Sequence, residues 1–207
     1  MRSSSAGRLA QIVDARTPIV EPLAIVAISS LLTAWAMQPF VGHALVQQGS
    51  VAQGAAQAAL WLAGVLAPVM ALAKASMAAL VCWSGAVYLG ERLSLVKLIS
   101  LFCVAETISA LRDLTMLSVL AVRGIDSVRT TADLMVAFGV NAYLRSPSAL
   151  ARVAFESWDL FTVAWALVAF WMIRALFRTD RGSAACLAVM VFAFRTLFAA
   201  ASLLYRL

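Results

Sequence analysis

The chain has 207 residues, of which 63% are hydrophobic and only 13% are charged, with a formal net charge of +6. Soluble domains contain roughly 45–50% apolar and about 25% charged residues. The composition therefore excludes a soluble globular domain and predicts an α-helical integral membrane protein. Because the basic residues are dispersed rather than clustered, we expect no nucleic-acid partner.

A polar segment precedes the first apolar run. Leu9, Ile12 and Val13 fall on one face of a helix, and Pro18 ends the segment. A short helix with one apolar face is typical of segments that lie at the membrane surface. We therefore expect residues 1–18 to form a cytoplasmic N-terminal segment that contains a short interfacial helix.

Five apolar segments follow, and each is long enough as a helix to cross a hydrocarbon layer of about 30 Å. Pro39 marks the end of the first segment, and the uncharged stretch 43–58 is expected to link it to the second. The predicted fold class is all-α, an integral membrane bundle of five transmembrane helices formed by residues 19–207. The predicted spans are residues 19–41, 59–89, 95–122, 155–177 and 183–205.

Small residues recur on one side of the second span. Ala71, Ala75 and Ala79 are spaced four residues apart, which places them on one face of a helix. Small residues let helices approach closely in a bilayer. This alanine ridge is expected to pack against another helix, either within the chain or in a partner.

Residues 123–154 form the longest connection. Asp133 precedes the apolar run LMVAFGVNAYL, which is too short to cross a bilayer. An interfacial or re-entrant helix capped by Asp133 is the prediction for this run.

Ionisable residues inside the spans are the main candidate site. Glu106 and Asp113 are seven residues apart and so point the same way on the third span. Counting about 1.5 Å per residue from the cytoplasmic ends, Glu106 lies about 16 Å deep and Arg195 about 20 Å deep. This predicts a mid-membrane pair and a deeper cluster. The full set is Lys74, Glu106, Arg112, Asp113, Asp159 and Arg195.

Two interpretations of these residues remain open at this point. Charges within a membrane usually face the bundle interior, where they pair with one another or line an ion pathway. Internal ion pairs would hold the helices together, whereas acids and bases at several depths would suit a proton or ion relay. The two interpretations differ in whether the ions touch one another or line a continuous cavity.

The distribution of basic residues predicts the orientation. Lys and Arg are more frequent in the segments that would share the side of the N-terminus, and the stretch 43–58 has none. Cytoplasmic segments of membrane proteins carry such an excess. We therefore expect a multi-pass protein of the cell inner membrane with a cytoplasmic N-terminus.

Three stretches resemble the bacterial branch of the Yip (Ypt-interacting protein) family of five-span membrane proteins. They are LAQIVDARTPIVEPL at residues 9–23, LVKLISLFCVAETISAL at 95–111 and SPSALARVAFESWDLFTVAWAL at 146–167. The resemblance implies an amphipathic N-terminal segment, five helices and a partner-binding role in the membrane. Eukaryotic members interact with Rab-type GTPases, a role that is not carried over to a bacterial chain. It implies no catalytic residue.

The sequence shows no enzymatic or cofactor motif. It lacks an HExxH, a nucleophile elbow, a P-loop and a dinucleotide fingerprint. His43 is the single histidine, so paired histidine ligands for haem are absent. The three cysteines form no CxxC. We therefore expect neither catalysis nor a cofactor.

Two functions remain. The first is a non-catalytic membrane scaffold or accessory subunit whose partners are membrane lipids, other membrane proteins or a second copy of itself. The alternative is a small transporter or channel that uses the buried ionisable residues.

Overall fold

The computed structural model describes residues 20–47, 49, 53–129, 131–134 and 159–204. Two short 3₁₀ turns, Ile125–Ser127 and Thr131–Leu134, follow the third helix. The predicted interfacial helix at residues 1–18 and the predicted helix after Asp133 lie outside the described residues. The five described helices are α1 (Val20–Gln47), α2 (Gln53–Tyr88), α3 (Leu95–Arg123), α4 (Leu160–Phe177) and α5 (Arg181–Leu204).

Four of these helices, α1, α2, α4 and α5, are long and apolar enough to cross a membrane. Helix α3 has 29 residues, which corresponds to about 44 Å. It differs from the other four because Glu106, Arg112 and Asp113 lie close together in its sequence. The all-helical class is therefore confirmed, with four apolar helices of spanning length.

The first two helices are longer than the predicted spans. Helix α1 continues through Pro39 to Gln47, and α2 already begins at Gln53. Most of the stretch expected to be a linker is therefore helical. Proline removes one backbone hydrogen bond from a helix interior, and in membrane helices packing against a neighbour offsets this loss. Here α1 packs along α2 on both sides of Pro39, because Trp35 contacts Trp61 before it and Gly42 lies against Leu60 after it.

Helices α2 to α5 form a four-cornered bundle. Helix α3 packs along α2 and α4, and α5 packs along the same two helices. Consequently, α3 and α5 face each other across the interior. Helix α1 packs against α2 and α3 on the outside of the bundle. The core contains large side chains from several helices, among them Phe102, Trp165 and Leu187.

Tight turns hold consecutive helices together. Gly90 adopts a φ of +76° after α2, a left-handed conformation that glycine adopts without steric cost. The Glu91 N–H donates to the Ala86 carbonyl over 2.8 Å and completes the helix end. Before α5, Asp180 accepts hydrogen bonds from the N–H groups of Gly182 and Ser183. Hydrogen bonds from the Ser183 side chain and from these backbone groups lower the pKa of Asp180.

The alanine ridge faces the interior of the bundle. Ala75 and Ala79 are fully buried, and Ala71 is partly buried against the same core. Near the other end of α2, a Cβ added to Gly85 would lie 2.8 Å from Cε of Met190 on α5. Small residues on α2 therefore permit close packing within the chain itself.

Replacing Ala75 with Leu should destabilise the bundle. The added side chain has no space at a fully buried position, and overpacking a core costs about 1–3 kcal/mol. The measurement is the free energy of unfolding in mixed micelles. Ala73→Leu is the matched control, because Ala73 lies on the exposed side of the same helix. Equal losses for the two variants would contradict an inward-facing ridge.

Candidate functional site

The centre of the bundle contains an ion pair between α3 and α5. Arg195 Nη1 lies 2.5 Å from Glu106 Oε1, and Glu106 is only 7% exposed. The pair spans the bundle interior, since these two helices face each other across it. The partners expected from their depths in the sequence therefore contact each other in the structure.

Further contacts fix the Arg195 guanidinium in place. Its Nη2 donates to Ser109 Oγ over 2.8 Å, and its Cζ lies 4.5 Å from the ring centroid of Trp165. A guanidinium over an indole face is stabilised by the ring quadrupole. Trp165 stacks in turn on Phe102, with ring centroids 5.6 Å apart. These contacts join α3, α4 and α5 in one polar and aromatic cluster.

The chemistry of this cluster suits packing better than proton transfer. A relay needs groups that gain and lose protons, whereas arginine stays protonated in proteins. Two opposite charges held in contact offset part of each other's desolvation. The Glu106–Arg195 pair is therefore a cross-link between α3 and α5 with no net charge, in which the carboxylate is buried and the Arg195 side chain is 30% exposed.

A second ion pair joins α3 to the start of α4. Arg112 Nε lies 2.6 Å from Asp159 Oδ2. Neither of these two atoms has a partner in hydrogen-bond geometry among the described residues, so the contact is a charge contact alone. Asp159 Oδ1 also caps α4, because it accepts from the Thr162 N–H over 2.6 Å and from Thr162 Oγ1 over 2.7 Å. Asp159 thus both starts α4 and attaches it to α3.

Lys74 and Asp113 are placed differently. Lys74 is exposed and Asp113 is partly buried. Asp113 lies in the electrostatic field of Arg112 and Lys74, yet neither residue forms an ion pair within 4 Å in the part of the chain described. The structure therefore divides the predicted deeper cluster: it brings Arg112 and Asp159 together and leaves Lys74 and Asp113 apart.

Three contributors to these contacts were not predicted. Ser109 lies three residues after Glu106 and so shares its helical face, a spacing from which it could have been found. Thr162 follows Asp159 by the three residues typical of a cap. The position of Trp165 beneath Arg195 depends on how α4 is rotated in the bundle, and no sequence spacing encodes that rotation.

The described part of the chain contains no candidate metal site. Within the described ranges, no group of three or more His, Cys, Asp and Glu residues is arranged to hold a metal ion. No family model, no curated protein and no solved structure matches this chain.

Proposed function

We propose that this protein is a non-catalytic integral membrane scaffold or accessory subunit that binds other membrane proteins or lipids. The observation that carries the proposal is that Glu106 and Asp159 each contact an arginine of another helix. Four of the six candidate ionisable groups are thereby used in holding α3, α4 and α5 together. Side chains held in these contacts are not free to bind a transported substrate.

The apolar outer surface of the bundle is available for contact with partner helices or lipids. Large apolar side chains are exposed on every described helix, including Trp83 on α2 and Trp171 on α4. Because the alanine ridge is buried within the chain, it is not available to a partner. We expect partner helices or lipids to meet the aromatic outer faces of α2 and α4, where large rigid side chains provide much contact area.

The proposal includes α3 as a fifth span and places the N-terminus in the cytoplasm of a cell with an inner membrane. One observation supports α3 as a span: both of its acidic residues lie near arginines or a lysine of the same bundle. Nearby opposite charges lower the cost of a charged helix in hydrocarbon. Five spans and a partner-binding role are also what the resemblance to the Yip family implies.

Cysteine labelling tests this topology. In a background with the native cysteines replaced, Ser4→Cys should react with a membrane-impermeant maleimide only from the cytoplasmic side, and Ser50→Cys only from the opposite side. The single span between the two positions is the reason for the difference. Reaction of both from the same side would rule out the arrangement.

The assembly itself is tested by isolating the protein from its native membrane in a mild detergent. We expect it to migrate on a native gel with a larger membrane complex or as a homo-oligomer. The Trp171→Ala variant should reduce this association. Leu197→Ala, at an exposed position on α5, is the control and should leave it unchanged. A stable monomer that copurifies with nothing and moves an ion across liposomes would replace the scaffold with the alternative.

That alternative is a small transporter or channel. Lys74 and Asp113 favour it, because they share a region of the bundle without forming an ion pair with each other. Asp113→Asn would then abolish ion flux in liposomes, while a scaffold would show no flux in either form.

A further inference from the structure

A cleft lies between α1 and α2, away from the ion pairs. Its volume is about 390 Å³, within the range of roughly 300–1,000 Å³ that is usual for small-molecule sites. The walls combine two aromatic rings, three polar side chains and the apolar residues Pro39, Val46 and Leu60. The other lining residues are Trp35, Gln38, Gly42, His43, Gln57 and Trp61.

The close packing of the two helices shapes this cleft. Trp35 and Trp61 meet edge to face, with ring centroids 5.4 Å apart. A Cβ added to Gly64 would lie 3.0 Å from Trp35 Cδ1 and 3.1 Å from Gln38 Nε2. The absence of a side chain at Gly64 therefore lets the indole and the amide rest against the backbone of α2.

Polarity changes along the cleft. Next to the tryptophan pair on one side, Ile28 and Leu32 of α1 and Val65 of α2 are exposed. Ile28, Leu32 and Trp35 follow four- and three-residue spacing, so they lie on one helical face. On the other side of the pair lie His43 and Gln57. An apolar stripe thus leads past two aromatic rings to hydrogen-bonding groups, as a lipid tail leads to its headgroup.

The charge pattern restricts the headgroup. No Lys, Arg, Asp or Glu occurs between Glu21 and Lys74, so neither α1 beyond its first turn nor the first half of α2 carries a formal charge. A phosphate bound there would have no cation on these helices to offset its desolvation. These two helices therefore offer a headgroup hydrogen bonds rather than a counter-charge, which favours an uncharged headgroup over an anionic one as far as α1 and α2 line the cleft.

The hydrogen-bonding groups favour a hydroxyl. Gln38 Nε2 donates to the Leu60 carbonyl over 3.3 Å, which leaves Gln38 Oε1 to accept a hydrogen bond from a ligand. The amide of Gln57 and the imidazole of His43 supply both donors and acceptors. A ligand hydroxyl can donate to Gln38 Oε1 and accept from Gln57 or His43, whereas a ligand carbonyl can only accept.

We propose that this cleft binds the uncharged, hydroxyl-bearing headgroup of a membrane lipid, as in diacylglycerol, with an acyl chain along Ile28, Leu32 and Val65. This assignment deepens the proposed lipid-binding function and rests on it. The headgroup would sit beyond the tryptophan pair, on the side of His43 and Gln57 that leads toward the hairpin connection.

Photolabelling of the full chain in phosphatidylcholine nanodiscs tests the proposal. The probe is diacylglycerol with a diazirine in one acyl chain, and the comparison probe is phosphatidic acid with the same chains. We expect diacylglycerol to label peptides of α1 and α2 around the cleft, and phosphatidic acid to label them at least about fivefold less. That ratio corresponds to one net hydrogen bond. Equal labelling of these peptides by the two probes, or diacylglycerol labelling of them no stronger than that of the other helices, would overturn the assignment.

Variants separate binding from general lipid contact. Gln38→Leu, His43→Leu and Gln57→Leu should each reduce diacylglycerol labelling about fivefold. Gln57 is exposed, so its replacement tests the hydrogen bond without disturbing the helix packing. Gln47→Leu, outside the residues that line the cleft, should leave labelling unchanged. Uniform labelling across all four variants would overturn the site, as would full competition by free glycerol, which lacks a tail.

The result is independent of the assembly experiment. Loss of cleft labelling with retained migration in a larger complex would reject the lipid site alone. Retained labelling of a monomer that assembles with nothing would reject the subunit role alone.

Discussion

Glu106→Gln should lower the free energy of unfolding by about 3–5 kcal/mol, because it leaves the Arg195 guanidinium without its counter-charge inside the bundle. The amide retains the size of the side chain, so the loss reports charge rather than packing. Unfolding in mixed micelles, followed by circular dichroism, measures it. Glu91→Gln is the matched control in the turn after α2, and its effect should stay within about 0.5 kcal/mol.

The double variant Glu106→Gln/Arg195→Gln gives the decisive comparison. With both charges removed, no ion is stranded, and the two amides can hydrogen-bond to each other. We expect the double variant to lose at least about 1 kcal/mol less unfolding free energy than the two single variants lose in sum, within the range of coupling energies found for contacting residues. Strictly additive effects would show that the contact contributes no coupling.

Asp159→Ala should have the second-largest effect, a loss of about 1–3 kcal/mol. The change removes a helix cap, typically about 1 kcal/mol, and also the counter-charge of Arg112. Because the Arg112 side chain is 40% exposed, this charge contact adds about 0.2–1 kcal/mol. Asp159→Asn keeps an oxygen that can cap α4 and removes only the charge. It should therefore recover roughly 1 kcal/mol relative to alanine.

Asp180→Ala serves as the control for this position. Asp180 caps α5 in the same way, but it is exposed and forms no ion pair among the described residues. Its replacement should be less harmful than that of Asp159. Equal unfolding free energies for the Asn and Ala variants of Asp159 would show that the cap contributes nothing there.

Depth along the helices was sufficient to pair Glu106 with Arg195. Once each apolar segment is treated as a helix of fixed rise, residues at similar depth become candidates for contact. The same reasoning failed to separate Arg112 and Asp159 from Lys74 and Asp113. All four lie at similar depths, and their pairing depends on the rotation of each helix and on which helices are neighbours.

Helix ends were harder to predict than helices. Pro39 is a reasonable signal for a helix end when α1 is considered alone. Packing of α1 against α2 carries the helix on to Gln47, an effect of tertiary contact that composition does not contain. The cleft was missed for the same reason, because Trp35 and Trp61 are 26 residues apart in the sequence and meet only through the hairpin.

The ion pair across the bundle has a consequence for how the protein is made. Glu106 and Arg195 are 89 residues apart, so at about 5–20 residues per second the ribosome adds Arg195 roughly 4–18 s after Glu106. During that interval α3 has its carboxylate but not its counter-ion. Helix α3, which is proposed to span the membrane, would therefore be retained beside the translocon until α5 emerges. Chains truncated before α5 would release α3 poorly into lipid and be cleared by membrane proteases.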